Sequence, residues 1–298
     1  MPITEDTLTS WAKGPGDTEE EKCERAIRAV RTAISKYTPL SELNPSVFLQ
    51  GSYRNKTNVR QNSDVDICVQ LDGTFYPEYP AGANDSTFGN VPAQITFRDY
   101  KVLVGAALGK TFGKAAVTRG DKAFKVHENT YRIDSDVVAT FEHRRYTLRP
   151  DGSASFLTGI GFYTDSGRWI INWPEQNYRN GLAKHERTQR RYRKVVRMLK
   201  RLRDVMQQES VAASKDVASC LIEALVWNAP DDHFGHATYR QDLRAVMAHC
   251  FNNTMTDVDC AEWGEVNELK YLFRSAQPWN RTRAHAFLNA GWNRVGFE

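Results

Sequence analysis

Two short segments combine residue types that can handle phosphate and a divalent cation. Gly51-Ser52-Tyr53 follows the apolar run Val47-Phe48-Leu49, and Ser63-Asp64-Val65-Asp66-Ile67 opens a second apolar stretch. Side chains two apart on a strand share a face, so Asp64 and Asp66 project together while Val65, Ile67 and Val69 turn to the buried side. Paired carboxylates repel, and a hard cation that takes oxygen ligands relieves the repulsion. A Gly-Ser turn after a strand offers a backbone without a Cβ, plus a hydroxyl, where a triphosphate can settle. Taken singly, Gly-Ser is ordinarily only a turn and Asp-x-Asp only a solvated pair. A third acidic run, Tyr131-Arg132-Ile133-Asp134-Ser135-Asp136-Val137-Val138, changes that reading. Two-metal phosphoryl transfer, with ions about 3.5–4 Å apart, needs one more carboxylate from an adjacent strand. Asp136 is the preferred donor, because an apolar pair follows it directly; Asp134 shares its face and is the second candidate.

The elements that must position these groups are legible in outline. Residues 1–17 read as a loose N-terminal segment. Thr18-Glu19-Glu20-Glu21 fits a capping box at the head of a helix running towards Pro39. Strands are expected near Val47–Leu49 and Asp64–Leu71, with a long surface loop from Asp72 to Pro92 and a helix over Ile95–Leu108. Further strands fall at Val117–Thr118, Ala123–Val126 and Tyr131–Tyr146, followed by a Gly-rich hairpin from Gly159 to Trp173. From Thr188 the pattern is helical. Strands before residue 175 and helices after it predict an α+β fold: a catalytic lobe over 18–180, whose N-terminal helix packs across both lobes, and a helical lobe over 181–298.

The chain has 298 residues, enough to bury a core without covalent staples. It contains 7 Trp, 12 Tyr and 14 Phe, which argues against overall disorder. No run of about 18 apolar residues is present and the first residues lack a signal-peptide pattern, so the expected location is the cytoplasm, without a membrane partner. Five cysteines without a C-x-x-C pair read as reduced, mostly buried thiols. The net charge of +4 does not by itself imply nucleic-acid binding. Nine Lys and Arg residues nevertheless fall between Arg187 and Arg203.

Gly51-Ser52-Tyr53, Thr57, Val59 and Ser63-Asp64-Val65-Asp66-Ile67 together resemble the polymerase-β-like nucleotidyltransferase signature. More narrowly they resemble the cGAS/DncV-like nucleotidyltransferases (CD-NTases) of bacterial anti-phage (CBASS) signalling. Asp136-Val137-Val138 with Phe141-Glu142-His143-Arg144-Arg145-Tyr146 is similar to that family's third-aspartate strand. Gly159-Ile160-Gly161-Phe162, Ile170-Ile171-Asn172-Trp173-Pro174 and Cys220-Leu221-Ile222-Glu223-Ala224-Leu225 are similar chiefly to its clade E. The chain departs from the family at Lys56, where a Gly commonly precedes the Thr, at Ala139, often Pro, and at His185, usually Asn. The resemblance implies a polymerase-β-like core sheet with a C-terminal helical lobe and an active site in the cleft between them. It implies a metal-dependent enzyme with two Mg²⁺ ions, for which Mn²⁺ can substitute, held by Asp64, Asp66 and Asp136. Gly51 and Ser52 would hold the leaving triphosphate together with Lys200, for which Arg197 is the alternative. Asn172 would line the base pocket, its amide suiting a pyrimidine edge. NTPs would be joined into a cyclic di- or oligonucleotide second messenger, and a downstream effector would sense it. The expected state is a monomer with no stable nucleic-acid partner. Two rival readings are a transferase that modifies a tRNA, protein or small-molecule acceptor, and a catalytically silent nucleotide- or RNA-binding scaffold.

In the basic helix, Tyr192, Val195, Val196, Leu199, Leu202 and Met206 form one apolar stripe. Arg190, Lys194, Arg197 and Arg201 lie opposite it and read mostly as a solvated face, whereas Lys200 sits on the flank, where it could lean over a cleft edge. His233, His236, His249, Cys250 and Cys260 could be assembled into a zinc site, although their spacing matches no common finger. Trp263, Val266, Leu269 and Phe273, at helical spacing, with Trp279 and Trp292 read as core.

Overall fold

The computed structural model describes residues 3–59, 64–149 and 151–297, so Ser63 lies outside the described residues. The chain opens with helices α1 (Glu5–Ala12), α2 (Asp17–Ser35) and α3 (Thr38–Ser41), strand β1 (Ser46–Leu49), helix α4 (Gly51–Asn55) and strand β2 (Val65–Glu78). Helices α5 (Asp85–Phe88) and α6 (Phe97–Phe112) precede strands β3 (Val117–Arg119), β4 (Phe124–Val126), β5 (Ser135–Leu148), β6 (Ala154–Tyr163) and β7 (Trp169–Asn172). The rest is helical: α7 (Pro174–Arg187), α8 (Tyr192–Gln208), α9 (Ser219–Asn228), α10 (Tyr239–Asn253) and α11 (Arg281–Val295). Two compact units result. One comprises Gly16–Tyr53 and Asp64–Pro174; the other comprises Met1–Pro15, Arg54–Ser63 and Glu175–Glu298. The boundaries expected at 18–180 and 181–298 therefore shift: the last crossing falls at Pro174, and the helical unit recruits two earlier stretches.

In the first unit the strand order is β1-β2-β5-β4-β3, with β6 on the second half of β5 and β7 on β6. Among the described strands, only β2 and β5 pair in parallel. Val65, Ile67, Val69 and Leu71 join Val137, Ala139 and Phe141 in a core with Ile27, Val30 and Ile34 of α2 and Tyr100, Val104 and Leu108 of α6. Burying each large apolar side chain stabilises the fold by about 1.5–3 kcal/mol, which fixes the register of β2 and β5. That alternation sends the odd-numbered apolar residues inward and the intervening acids to the other face.

Three expectations for this unit change. The N-cap of α2 is Gly16, without a side-chain cap, so the Thr18–Glu21 capping box does not form; Asp17, Glu19 and Glu20 instead complement the helix dipole in the first turn. β2 continues to Glu78 through a register shift between Leu71 and Phe75, and α5 follows, so Asp72–Pro92 is not one loop. The Gly-Ser turn is the start of helix α4.

The helical unit is organised on α8, whose stripe of Tyr192, Val195, Val196, Leu199, Leu202 and Met206 is wholly buried, as the periodicity predicts. The supposedly loose N-terminus is helix α1, capped by the Thr4 hydroxyl, with Leu8 and Ala12 in the same core. Its Glu5 carboxylate accepts from the Tyr239 and Arg240 N–H groups at 2.7 and 2.9 Å, at the head of α10. Polar spacing around two buried residues hid this helix. Trp263, Phe273, Trp279 and Trp292 do pack on the core. The stretch from Trp263 to Phe273 is turns with a bridge between Gly264 and Tyr271, not a helix.

Candidate active site

The acids meet at one end of the parallel pair. Asp66 on β2 stands in register with Asp136 on β5, so their Cα atoms are strand neighbours about 4.8 Å apart. Asp64 immediately precedes β2, and its side chain is 44% exposed. Burial, then the charge of Asp64, pushes the Asp136 carboxyl above its ordinary value. This strain is what two acids sharing low-dielectric space produce.

Residue Lys125, not singled out from the sequence, faces these acids. On β4, Phe124 and Val126 point into the core, so Lys125 points to the opposite side, in register with Asp136. Its ammonium lies 3.0 Å from Asp64 Oδ2 and 2.9 Å from Asp134 Oδ2. The signal was present in the sequence as a lone cation between two apolar residues of a short strand. Asp134 also accepts the Glu128 N–H at 2.5 Å. Burial raises its pKa, but Lys125 and that N–H outweigh this and hold it below the usual carboxylate range. Asp134 therefore braces a turn, while Asp136 stands beside Asp66.

Gly51 explains the head of α4. Its φ is +63°, and a Cβ there would lie 2.0 Å from Asp66 Oδ2. Glycine is required both by conformation and by the space the Asp66 carboxylate occupies. The Gln50 N–H donates to the Asp66 carbonyl at 3.0 Å, tying the same junction to β2. Ser52 follows, half-buried. Asn172 is the exposed last residue of β7, opposite Ile160 on β6.

The cations assigned to the triphosphate behave differently. Lys200 is 1% exposed, and its ammonium donates to Glu223 Oε1 at 2.6 Å and to the Thr57 carbonyl at 3.1 Å. Glu223 also accepts from the Thr57 hydroxyl at 2.7 Å and the Asn55 amide at 3.4 Å. Arg197, expected on the solvated face, is 9% exposed and donates to the Ala12 and Lys56 carbonyls at 2.8 and 2.6 Å. Both side chains are thus committed inside the helical unit, because segment 54–58 packs over the side of α8 that the pattern left to solvent. Glu223 is a further residue missed: a lone carboxylate in the apolar helix α9.

Among the described residues, no group of three His, Cys, Asp or Glu side chains is gathered to hold a metal ion, which removes the zinc grouping. For the acids, the donor chemistry nonetheless fits a hard divalent cation. Asp66 and Asp136, paired in register, and Asp64 just before β2 offer only oxygen ligands, and Gly51 leaves room at Asp66. Asp64 is paired with Lys125 at 3.0 Å.

Known proteins agree with this architecture. The family model described as "cGAS/DncV-like nucleotidyltransferase C-terminal helical domain" matches residues 179–296. A "Cyclic dipyrimidine nucleotide synthase CdnE" from Legionella pneumophila is 40% identical over 293 residues, 98% of this chain and 97% of that protein. A protein of the same description from Cecembia lonarensis is 38% identical, covering 99% of both chains. The structure of the Rhodothermus marinus CdnE c-UMP-AMP synthase with Apcpp and Upnpp superposes with a TM-score of 0.86 at 30% identity, over 100% of this chain and 99% of that one. The Elizabethkingia meningoseptica CdnE cyclic dinucleotide synthase with GTP and Apcpp gives 0.81 at 34%, over 99% of each. A mixed sheet bearing the acids, a helical C-terminal region and full-length similarity above 30% lead to one conclusion: the chain belongs to the CD-NTases, the cGAS/DncV-like nucleotidyltransferases with a polymerase-β-like fold.

Proposed function

We propose that this protein joins NTPs, without a template, into a cyclic dinucleotide containing at least one pyrimidine, releasing pyrophosphate, as a second messenger in anti-phage signalling. The observation that carries the reaction class is the register pairing of Asp66 with Asp136, with Asp64 alongside and Gly51 seated on Asp66. Asp64, Asp66 and Asp136 would hold two Mg²⁺ ions, for which Mn²⁺ can substitute; bound there, the ions would acidify the attacking ribose hydroxyl and neutralise charge building on the phosphate. The three carboxylates would serve as oxygen ligands to those ions, Asp136 to the one that acidifies the attacking hydroxyl. Ser52 offers its hydroxyl to the leaving triphosphate. Asn172, exposed at the end of β7, presents donor and acceptor groups suited to a pyrimidine edge. The pyrimidine assignment draws support from the dipyrimidine and UMP-AMP synthases among the relatives. A downstream effector that recognises the cyclic product completes the pathway.

The test is incubation with all four NTPs, each α-³²P-labelled in turn, in Mg²⁺ or Mn²⁺, followed by phosphatase and separation. Resistant label that includes UTP or CTP and disappears in Asp64→Asn/Asp66→Asn is the expected result. Label appearing only on an added tRNA, protein or small acceptor would replace the reading with acceptor modification. Nucleotide binding without turnover in either metal would leave a silent scaffold.

A further inference from the structure

We infer that Lys125 is a positioning residue that acts as a built-in counter-cation, holding Asp64 away from a divalent ion until nucleotide arrives. The inference rests on the metal-dependent reading above. Its ammonium is 3.0 Å from Asp64 Oδ2, the distance of a charge-assisted hydrogen bond, and 2.9 Å from Asp134. A magnesium ion needs carboxylate oxygen at about 2.0–2.1 Å with near-octahedral geometry, so it competes with Lys125 for the charge and orientation of Asp64, whose Oδ2 the ammonium already engages. Asp134 gives Lys125 a second anchor through its own Oδ2, while its Oδ1 is fixed by the Glu128 N–H. Released by Asp64, the ammonium stays paired, so the exchange does not leave a bare cation.

The consequence is a site poorly disposed to a free ion and better disposed to an ion that brings phosphate with it. The added negative charge of a polyphosphate offsets the repulsion between Lys125 and the incoming dication.

The experiment measures Mn²⁺ binding to the nucleotide-free protein by electron paramagnetic resonance titration of free Mn²⁺. Three proteins are compared: wild type, Lys125→Gln and Lys125→Arg. The Lys125 side chain is 37% exposed, so neither change opens a core cavity, and circular dichroism checks the fold. Lys125→Gln should bind Mn²⁺ about tenfold more tightly than wild type, with Lys125→Arg close to wild type. Adding a non-hydrolysable NTP should shrink the difference between Lys125→Gln and wild type. Equal or weaker binding in Lys125→Gln, with Asp64→Asn/Asp66→Asn still abolishing binding, would overturn the role of Lys125 and leave the metal site standing. No Mn²⁺ binding in any protein, with or without nucleotide, would overturn the metal reading of the acids and this inference with it.

Discussion

Removing the Glu223 carboxylate should unfold the helical unit at a markedly lower temperature, and the size of the effect follows from two contacts. Glu223 and Lys200 have side chains only 8% and 2% exposed, with nitrogen and oxygen 2.6 Å apart. Glu223→Ala strands the Lys200 ammonium out of water and removes the acceptor for the Thr57 hydroxyl. Breaking a buried pair from one side costs about 3–5 kcal/mol. At about 2–4 °C per kcal/mol, the transition should fall by about 6–20 °C in differential scanning calorimetry. Lys200→Met/Glu223→Leu, which removes both charges, should return to within about 4 °C of wild type, because a buried pair adds little net stability over apolar residues of similar volume. A loss below 3 °C in Glu223→Ala, or a double variant no better than the single one, would refute the account.

Gly51→Ala combines a left-handed φ with a Cβ 2.0 Å from Asp66 Oδ2; it should leave the fold intact but cut labelled product about 100-fold, measured beside circular dichroism. Lys56 also has a left-handed φ of +57°, which costs an L-residue about 1–2 kcal/mol; Lys56→Gly should raise stability by about 0.5–1 kcal/mol in urea titration. Burial, then Arg193, pushes the His185 imidazole down to about 4, below its unfolded value of about 6.5. The unfolded chain binds the extra proton across that window, so stability should hold above pH 6.5 and fall as pH drops towards 4. His185→Asn can still accept the Arg193 N–H that Nδ1 takes at 3.4 Å, and it should flatten this acid slope in pH-dependent melts.

Much of the acid site was legible because strand periodicity and burial demand the same thing of β2 and β5. Val65, Ile67 and Val69 had to face the core, which left Asp64 and Asp66 together on the other side. What sequence could not supply was the partner across the sheet: Lys125 meets the acids only once β4 pairs with β5. The same limit applies to α8. Its apolar stripe was plain, but a helix can be covered on a polar face as well. Segment 54–58 does that, turning Lys200, expected at a cleft edge, and Arg197, expected on the solvated face, into buried donors. The left-handed φ of Lys56 makes physical sense of the glycine common there in the family: the backbone conformation favours a residue without a side chain. Helix α1 was missed because two buried residues in eight are too few to raise a periodic signal.

The helical unit is threaded from three separated stretches, and this has a consequence for how the chain matures on the ribosome. The packing partners of α1 on α8 and α10 are translated long after it. At about 5–20 residues per second the gap is on the order of 10 s or more, during which Leu8 and Ala12 have no core to enter. The sheet unit, closed by Pro174, has its residues available well before then. Synthesis therefore orders assembly: the acid-bearing sheet is able to form before α1 gains its partners on α8 and α10.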